Sequence, residues 1–564
     1  MKLLNYFTQY APNLTFVAIV LGTIAGIAQT MIIPLLMHVI SLPLGDMSSE
    51  VGGSVRLWGG EIYYPNFFAL FISLIFVIFI SRSLSQIILG TVAVKIRYNL
   101  RKEFYSEVRK ASIHSLEKLG LSKLIQCINV DISSIVMGAQ LLPSIVTNLI
   151  TVSGLLLLLM LFNSEIFYWI SLVIAFGALT HRIFIKVGTK YFSKSRNIQD
   201  TVITNFRGLV DGSKELRLSL HKQEAFTQSS ILQFEKQVYE NEKSGIYAFS
   251  LAANYGELLS FISLAIFTFV VSNYVYISEQ DRITTIMILL YIVGPTSALL
   301  GAFSQFSRAK IHLKKYEAIK ARLKPEKVNV PNLAVLEWKT LKLRGIKFSY
   351  DNSEAALKHA IGPIDLDINK GEVTFIVGNN GSGKSTISKV ISQHYLDYSG
   401  KIFCDNTLID AENIVTLREQ MYSIYSDYYL FDYFIDYSKS NALQIKSQIK
   451  SYIKLFRLDS HLSFDNGKFS TLDLSDGQRK RLALIIALIE DRDMYIFDEW
   501  TAEQDPIFKE VFYSQILPEL KERNKAVVVI SHDDRYFDVA DCLYIMDKGK
   551  IIDNTEYKAV ANIS

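Results

Sequence analysis

Six long apolar stretches constrain the fold of this chain more than any other feature. They lie near 14–40, 66–94, 141–162, 165–185, 246–277 and 283–307. A helix needs about 20 apolar residues to cross the roughly 30 Å hydrocarbon core of a bilayer. The sequence therefore predicts an all-α domain of six membrane-spanning helices at 1–325.

Lysine and arginine collect in two of the segments between these stretches. Residues 95–130 carry eight of them and residues 185–245 carry ten, whereas residues 41–65 carry one. Basic segments stay on the cytoplasmic side of a membrane. Both chain termini are therefore predicted to be cytoplasmic. Helical spacing continues through both basic segments, which we interpret as extensions of the spans below the membrane.

Each basic segment also contains a break in its pattern, at 119–122 and at 211–217. These breaks are candidate docking elements for a second domain, and ordinary turns between helices are the alternative. Arg82 and Glu257 are the main charged residues inside the predicted spans. Because charge in hydrocarbon is costly, they should face protein or a wet cavity. A substrate-cavity role and a structural pair between helices both remain open for them.

Composition excludes other classes of function. The 59 Lys and Arg residues nearly balance the 55 Asp and Glu residues, for a net charge of +4. This charge is too small and too dispersed to indicate a nucleic-acid partner. Cys127, Cys404 and Cys542 are widely spaced and predict neither a disulfide framework nor a zinc site.

After Pro325, alternating charged and apolar runs predict an α/β domain at 326–564. The segment 372–377 is predicted to be a strand, and a glycine-rich loop follows it directly. This loop consists of Gly378, Asn379, Asn380, Gly381, Ser382, Gly383, Lys384, Ser385 and Thr386. In a strand–loop–helix context, such backbone N–H groups cradle phosphates, the lysine reaches the outer phosphates and the following hydroxyl binds Mg²⁺. The loop predicts ATP binding.

A second apolar strand, at 494–497, ends in Asp498 and Glu499. We expect Asp498 to hold Mg²⁺ and Glu499 to act as the general base on the attacking water. A surface acid pair at the end of a strand is the alternative. His532 follows a third buried strand, at 526–530, where it could contact the γ-phosphate or have only a structural role.

One further motif lies between the glycine-rich loop and the acid pair. Residues Leu474, Ser475, Asp476, Gly477 and Gln478 precede the Asp498 strand and open a predicted helix. Together with the loop and the acid pair, they resemble the nucleotide-binding domain of ABC transporters. The six-span arrangement resembles the half-transporters of ABC exporters. The fold class expected is therefore a six-helix transmembrane exporter domain followed by a P-loop ABC ATPase domain.

The resemblance implies further roles and an assembly. Tyr350 matches the aromatic residue that stacks on adenine, residues 474–478 match the signature, Asp505 matches the D-loop and His532 matches the switch histidine. In that family the signature of one subunit covers ATP held by the loop of the other. The resemblance thus implies a homodimer with two composite sites, located in a bacterial inner membrane with its ATPase domains in the cytoplasm.

Three residues depart from the common family pattern. Asp476 replaces a glycine of the signature, Ser426 stands where a glutamine is typical, and Trp500 follows Glu499. Combined with the runs 498–506 and 214–218, they resemble the cyclic-peptide and siderophore exporters of Gram-negative bacteria. Asp427 is the candidate substitute for the missing glutamine.

The expected function is ATP-driven export of a cyclic peptide, lipopeptide or peptide siderophore by alternating access. A translocator of lipids or hydrophobic compounds and a regulatory membrane ATPase are the alternatives. An importer is disfavoured, because importers generally carry their membrane and ATPase parts on separate chains. The identity of the cargo, the ATP stoichiometry and the presence of a periplasmic or outer-membrane partner stay open at this point.

Overall fold

The computed structural model describes residues 10–41, 54–57, 60–63, 65–271, 274, 278–326, 328, 336–350, 360–435 and 442–552. Contacts divide the chain into two units. The first unit comprises Met1–Ala111 and Ser115–Lys324, and the second comprises Ser112–His114 and Pro325–Ser564.

The described part of the first unit is built from helices, six of which have 21 residues or more. Their bounds are α1 (Pro12–Ser41), α2 (Pro65–Lys110), α3 (Ile113–Leu119), α4 (Leu121–Gln126), α5 (Ile132–Ala139), α6 (Leu142–Phe162), α7 (Ser164–Asp211), α8 (Ser213–Arg217), α9 (Leu220–Phe226), α10 (Gln233–Phe269) and α11 (Glu279–Arg322). Among the described residues, six helical stretches are long and apolar enough to cross a membrane. The prediction of a six-helix membrane domain is confirmed.

Helices α2, α7 and α11 run far past the predicted spans, with 46, 48 and 44 residues. At 1.5 Å per residue, α7 is about 70 Å long, more than twice the thickness of the hydrocarbon core. The basic segments are therefore helical extensions, as their spacing predicted. The pattern breaks at 119–122 and 211–217 coincide with helix ends at Leu119 and Asp211.

Two details of the first unit differ from the sequence prediction. A short antiparallel hairpin, β1 (Ser54–Leu57) and β2 (Gly60–Tyr63), lies between α1 and α2. The predicted fifth span extends to 277, but α10 ends at Phe269, shortly before the polar pair Ser272 and Asn273. Residues 272–273 and 275–277 of that prediction lie outside the described residues.

A buried charge network joins three helical stretches of this unit. Arg196 on α7 donates to Asp131 and, at 2.7 Å, to Asp200. His312 Nδ1 lies 2.8 Å from Asp131, and Lys315 Nζ lies 2.6 Å from Asp200. Because an uncompensated buried charge is costly, each member depends on the others for its neutralisation. The network fixes how α7 and α11 pack beside the turn that contains Asp131.

The second unit is an α/β fold with a larger sheet, a smaller sheet and one short two-stranded hairpin. Its strands are β3 (Thr340–Ser349), β4 (Ala360–Asn369), β5 (Val373–Gly378), β6 (Ser399–Cys404), β7 (Thr407–Leu408), β8 (Met421–Ile424), β9 (Phe464–Asp465), β10 (Lys468–Phe469), β11 (Met494–Asp498), β12 (Ala526–Ile530), β13 (Cys542–Asp547) and β14 (Lys550–Ile552). Its helices are α12 (Lys384–Ile391), α13 (Ile414–Glu419), α14 (Ala442–Leu455), α15 (Asp476–Glu490), α16 (Pro506–Val511) and α17 (Leu517–Glu522).

The larger sheet has the order β14-β13-β5-β12-β11-β8, and all its strand pairs except β13–β14 are parallel. Strands β11 and β12 are buried along their whole length, which explains their continuous apolar sequences. A smaller antiparallel sheet has the order β4-β3-β6-β7. Since β5, β12 and β11 are parallel neighbours, their carboxyl ends meet at one edge, where ligands bind in such sheets.

Candidate functional site

The glycine-rich loop connects β5 to α12 at this edge. Gly378 has φ 147°, and a Cβ there would lie 2.1 Å from the carbonyl oxygen of Met546. Gly383 has φ 102°, and a Cβ there would lie 2.5 Å from Ile361 Cγ2. Only glycine fits both positions without strain. These two glycines therefore fix the shape of the loop.

Lys384 begins α12, and its side chain folds back over the loop. Its Nζ donates to the carbonyl oxygens of Gly378 at 2.9 Å and Asn379 at 3.0 Å. Burial lowers the pKa of Lys384, and the nearby carboxylates of Glu499 and Asp498 oppose this effect. Ser382 Oγ is buried and has no hydrogen-bond partner among the described residues. The loop thus holds a buried cation and an unpaired hydroxyl, a set that suits a phosphate group.

Ser385 and Asp498 face each other across the end of the sheet. Ser385 Oγ donates to Asp498 Oδ1 at 3.2 Å. Burial raises the pKa of Asp498 to about 6, and the hydrogen bond from Ser385 opposes the increase. At pH 7 this buried carboxylate is mainly ionised and favours a nearby cation. Mg²⁺ bound to a nucleotide takes most of its ligands from phosphates and water. One hydroxyl and one carboxylate are therefore enough protein ligands.

Glu499 and His532 lie together at the ends of β11 and β12. Glu499 Oε1 is 2.9 Å from His532 Nε2, and both side chains are partly exposed. Glu499 has φ 53°, an uncommon left-handed conformation for a residue with a side chain. The strand register, which pairs Asp498 with Ile530, places His532 near Glu499. The structure therefore brings together the two residues that the sequence predicted as catalytic.

Tyr350 lies beside the loop at the end of β3. Its hydroxyl is 3.0 Å from Thr386 Oγ1, and its ring packs edge-on against Phe348 and Tyr395. The ring contacts this aromatic cluster while 38% of the residue stays exposed. A partly exposed ring beside a phosphate loop fits the expected role of a stacking platform for a base.

The predicted signature residues, 474–478, lie at the start of α15. Ser475 caps this helix, and Gln478 completes a capping box with it. Asp476 is exposed in the first helical turn, where the helix dipole favours a negative charge. Asp505 caps α16 and pairs with Arg481 on α15. Among the described residues, no hydrogen bond or ion pair joins 474–478 to 378–386.

Comparisons with known proteins agree with this geometry. The ABC transporter family model matches residues 361–502. ATP-binding protein SyrD of Pseudomonas syringae pv. syringae is 26% identical, over 97% of this chain and 95% of that protein. The ATP-dependent lipid A-core flippase of Vibrio vulnificus (strain CMCP6) is 25% identical, over 98% of this chain and 93% of that protein.

A solved structure extends the likeness to the whole fold. A bacterial Atm1-family ABC exporter with ATP bound superposes with a TM-score of 0.76 at 16% identity, covering 98% of this chain and 96% of that chain. The chain has the fold of an ABC exporter half-transporter. Its α/β unit is an ABC ATPase domain, which couples ATP hydrolysis to transport, and its six apolar helices make it a multi-pass membrane protein.

Sequence reasoning missed a polar cluster beside the ATPase loop of the half-transporter. Tyr425 follows β8, and its hydroxyl lies 2.5 Å from Ser392 Oγ and 3.1 Å from His394 Nδ1. Burial raises the pKa of Tyr425 to about 12. Ser426 and Asp427, the next residues, are exposed. The only sequence signal was the unusual run of tyrosines at this position.

The predicted substrate residues, Arg82 and Glu257, make no ion pair with each other among the described residues. Arg82 on α2 and Glu257 on α10 are both exposed. Neither lines a described cavity of about 500 Å³ in the first unit, which is formed instead by α5, α7, α10 and α11. Substrate contact by Arg82 and Glu257 therefore stays a prediction.

Trp500 in the half-transporter is a core residue. It is 2% exposed, its ring packs against Phe508 and Phe512, and its Nε1 donates to the carbonyl oxygen of Lys480 at 3.1 Å. This packing gives a structural reason for the departure that the sequence showed beside Glu499.

Replacement of this ring tests its structural role. Trp500→Ala should lower the free energy of unfolding by about 3–5 kcal/mol, because it leaves a large cavity. Trp500→Phe should cost less, since a ring remains. Thermal unfolding of the purified full-length protein measures both changes. An unchanged midpoint for Trp500→Ala would contradict a role in the core.

Proposed function

We propose that this half-transporter forms a homodimer that exports amphipathic peptides, such as cyclic peptides, lipopeptides or peptide siderophores, across the inner membrane. Hydrolysis occurs at two composite sites. The observation that supports this assembly most directly is the separation of the two halves of the site. Among the described residues, loop 378–386 and signature 474–478 make no polar contact with each other, which supports a site that a second chain completes.

In each composite site, the residues of one chain have separate tasks. The loop N–H groups and Lys384 hold the phosphates of ATP, and Tyr350 supports the adenine ring. Ser385 and Asp498 would hold Mg²⁺, which neutralises charge on the phosphates when bound. Glu499 accepts the proton of the attacking water, and His532 keeps the Glu499 carboxylate in position. The signature of the partner subunit covers the nucleotide.

Closure of the two ATPase domains on ATP favours the outward-open state, and hydrolysis reverses this preference. The ATPase domains lie in the cytoplasm, since the basic helical extensions of α2 and α7 carry the lysines and arginines that retain a segment on that side. The peptide class of cargo is supported by the motif resemblance of residues 498–506 and 214–218.

A lipid substrate is the second candidate. It is favoured by the near full-length likeness to the lipid A-core flippase of Vibrio vulnificus. Stimulation of ATP hydrolysis by added substrate distinguishes the peptide class from the lipid class. Purified protein in lipid bilayers should hydrolyse ATP severalfold faster with acylated or cyclic peptides than without them. Stimulation by lipid A-core lipids or hydrophobic dyes alone would contradict the peptide proposal.

A further inference from the structure

A cavity of about 500 Å³ lies inside the first unit, between α5, α7, α10 and α11. Its lining combines aromatic rings, small residues and several charged groups. The cavity lies beside the predicted cytoplasmic ends of the spans, since Gly138 and Arg308 flank the third and sixth apolar stretches. Its volume falls in the range of small-molecule sites, which is about 300–1,000 Å³.

Most charged groups around this cavity already have partners. Arg196 is held by Asp131 and Asp200 in the buried network. The Glu242 carboxylate accepts hydrogen bonds from Ser195 and Gln199, both at 3.0 Å. These groups are neutralised or hydrogen-bonded by the protein itself.

Arg308 is different. Its Nε is buried and has no hydrogen-bond partner, and no ion pair involves Arg308 within the described part of the chain. Its guanidinium lies 4.2 Å from the ring centroid of Phe192 and 4.9 Å from that of Phe249. These cation–π contacts orient the guanidinium without using its N–H donors. A buried donor that lacks a partner destabilises the protein unless a ligand accepts its hydrogen bond.

Two glycines fix the rings that hold Arg308. A Cβ at Gly245 would lie 2.6 Å from the Phe192 ring, and a Cβ at Gly188 would lie 2.9 Å from the Phe249 ring. The Phe192 ring of α7 therefore packs directly on the backbone of α10, and the Phe249 ring of α10 packs directly on the backbone of α7. The guanidinium is presented to the cavity by a rigid aromatic support.

We propose that this cavity is a substrate site that binds an anionic group, a carboxylate or a phosphate, through the free N–H donors of Arg308. The planar fork of arginine suits both anions because it can donate two parallel hydrogen bonds. The apolar part of the same substrate lies along Phe192, Phe249 and Met137. This inference rests on the proposed export function, and it names the chemistry of the cargo at its entry site.

The test is equilibrium binding to the purified full-length protein without nucleotide. Three fluorescent probes share one acyl chain: an acyl peptide with a free C-terminal carboxylate, its C-terminal amide, and the corresponding alkyl phosphate. We expect Arg308→Gln to weaken binding of the carboxylate or the phosphate probe about 10- to 100-fold. The amide should bind wild type and variant equally, which also shows that the variant is folded.

Two further variants sharpen the test. Arg308→Lys keeps the charge but loses the fork, so it should recover only part of the affinity. Lys310→Gln removes an exposed cation from the same helix outside the cavity and should leave binding unchanged. Selective loss for the carboxylate identifies a peptide-type cargo, and selective loss for the phosphate identifies a lipid-type cargo. Both support an anion site.

Equal binding of the acid, amide and phosphate probes to the wild type, or unchanged anion binding by Arg308→Gln, would overturn the inference. Failure of the export function itself is seen separately, as the absence of ATP-driven uptake of any probe by wild-type protein in vesicles. A protein that transports these probes but is insensitive to Arg308 thus refutes the anion site alone.

Discussion

Glu499→Gln is expected to lower steady-state ATP hydrolysis at least about 100-fold, because general-base catalysis contributes roughly 10²–10⁴-fold. The amide can keep a hydrogen bond to His532, but it cannot accept a proton from water. The phosphate loop is untouched by this change, so ATP binding should remain. The variant should therefore accumulate a closed, ATP-bound dimer, measured by nucleotide retained after gel filtration and by distances between labelled ATPase domains.

A control variant separates this effect from a general loss of charge. Glu522→Gln removes an exposed carboxylate from α17 and should hydrolyse ATP at the wild-type rate. ATP hydrolysis by Glu499→Gln at the wild-type rate would show that another group accepts the proton. Failure to retain ATP would show that Glu499 acts in binding.

Lys384→Ala should act at the preceding step and weaken nucleotide affinity about 10- to 100-fold, the range expected for a lost hydrogen bond to a charged group. The Lys384 Nζ lies over the carbonyl oxygens of Gly378 and Asn379, so its removal leaves those oxygens as well as the phosphates without a donor. Hydrolysis falls as a consequence. Equilibrium binding of a fluorescent ATP analogue measures the change directly.

Lys454→Ala on α14 is the matched control, because it removes an exposed lysine from the same domain without altering the loop. It should bind nucleotide as the wild type does. Normal affinity in Lys384→Ala would contradict the phosphate role of this residue. The two active-site variants thus differ in kind, since one retains ATP and the other loses it.

The sequence predicted the parts of the fold that depend on local pattern. Apolar length alone identified the six membrane helices, and the buried strand sequences before Gly378 and Asp498 located two ends of the sheet. Strand order then brings the loop, Asp498, Glu499 and His532 to one edge. The spacing of the glycines was enough to predict the phosphate loop, because phosphate binding requires a particular backbone conformation.

Features that depend on helix rotation could not be predicted. Asp131, Arg196 and Asp200 looked like ordinary members of basic segments, and only packing shows that they form a buried network. Likewise, Arg308 was one of many arginines near a span end, whereas Arg82 and Glu257 attracted attention because they lie in the middle of apolar runs. Hydrophobic periodicity and composition do not show which helix faces pack together. The cavity therefore could be identified only from the structure.

The most direct test of the account is ATP-driven uptake of a labelled acyl peptide into inside-out membrane vesicles that contain this protein. The account predicts accumulation that requires ATP and Mg²⁺ and that disappears in Glu499→Gln. ATP hydrolysis at the wild-type rate with no accumulation of any member of a broad peptide panel would contradict it and favour a regulatory membrane ATPase.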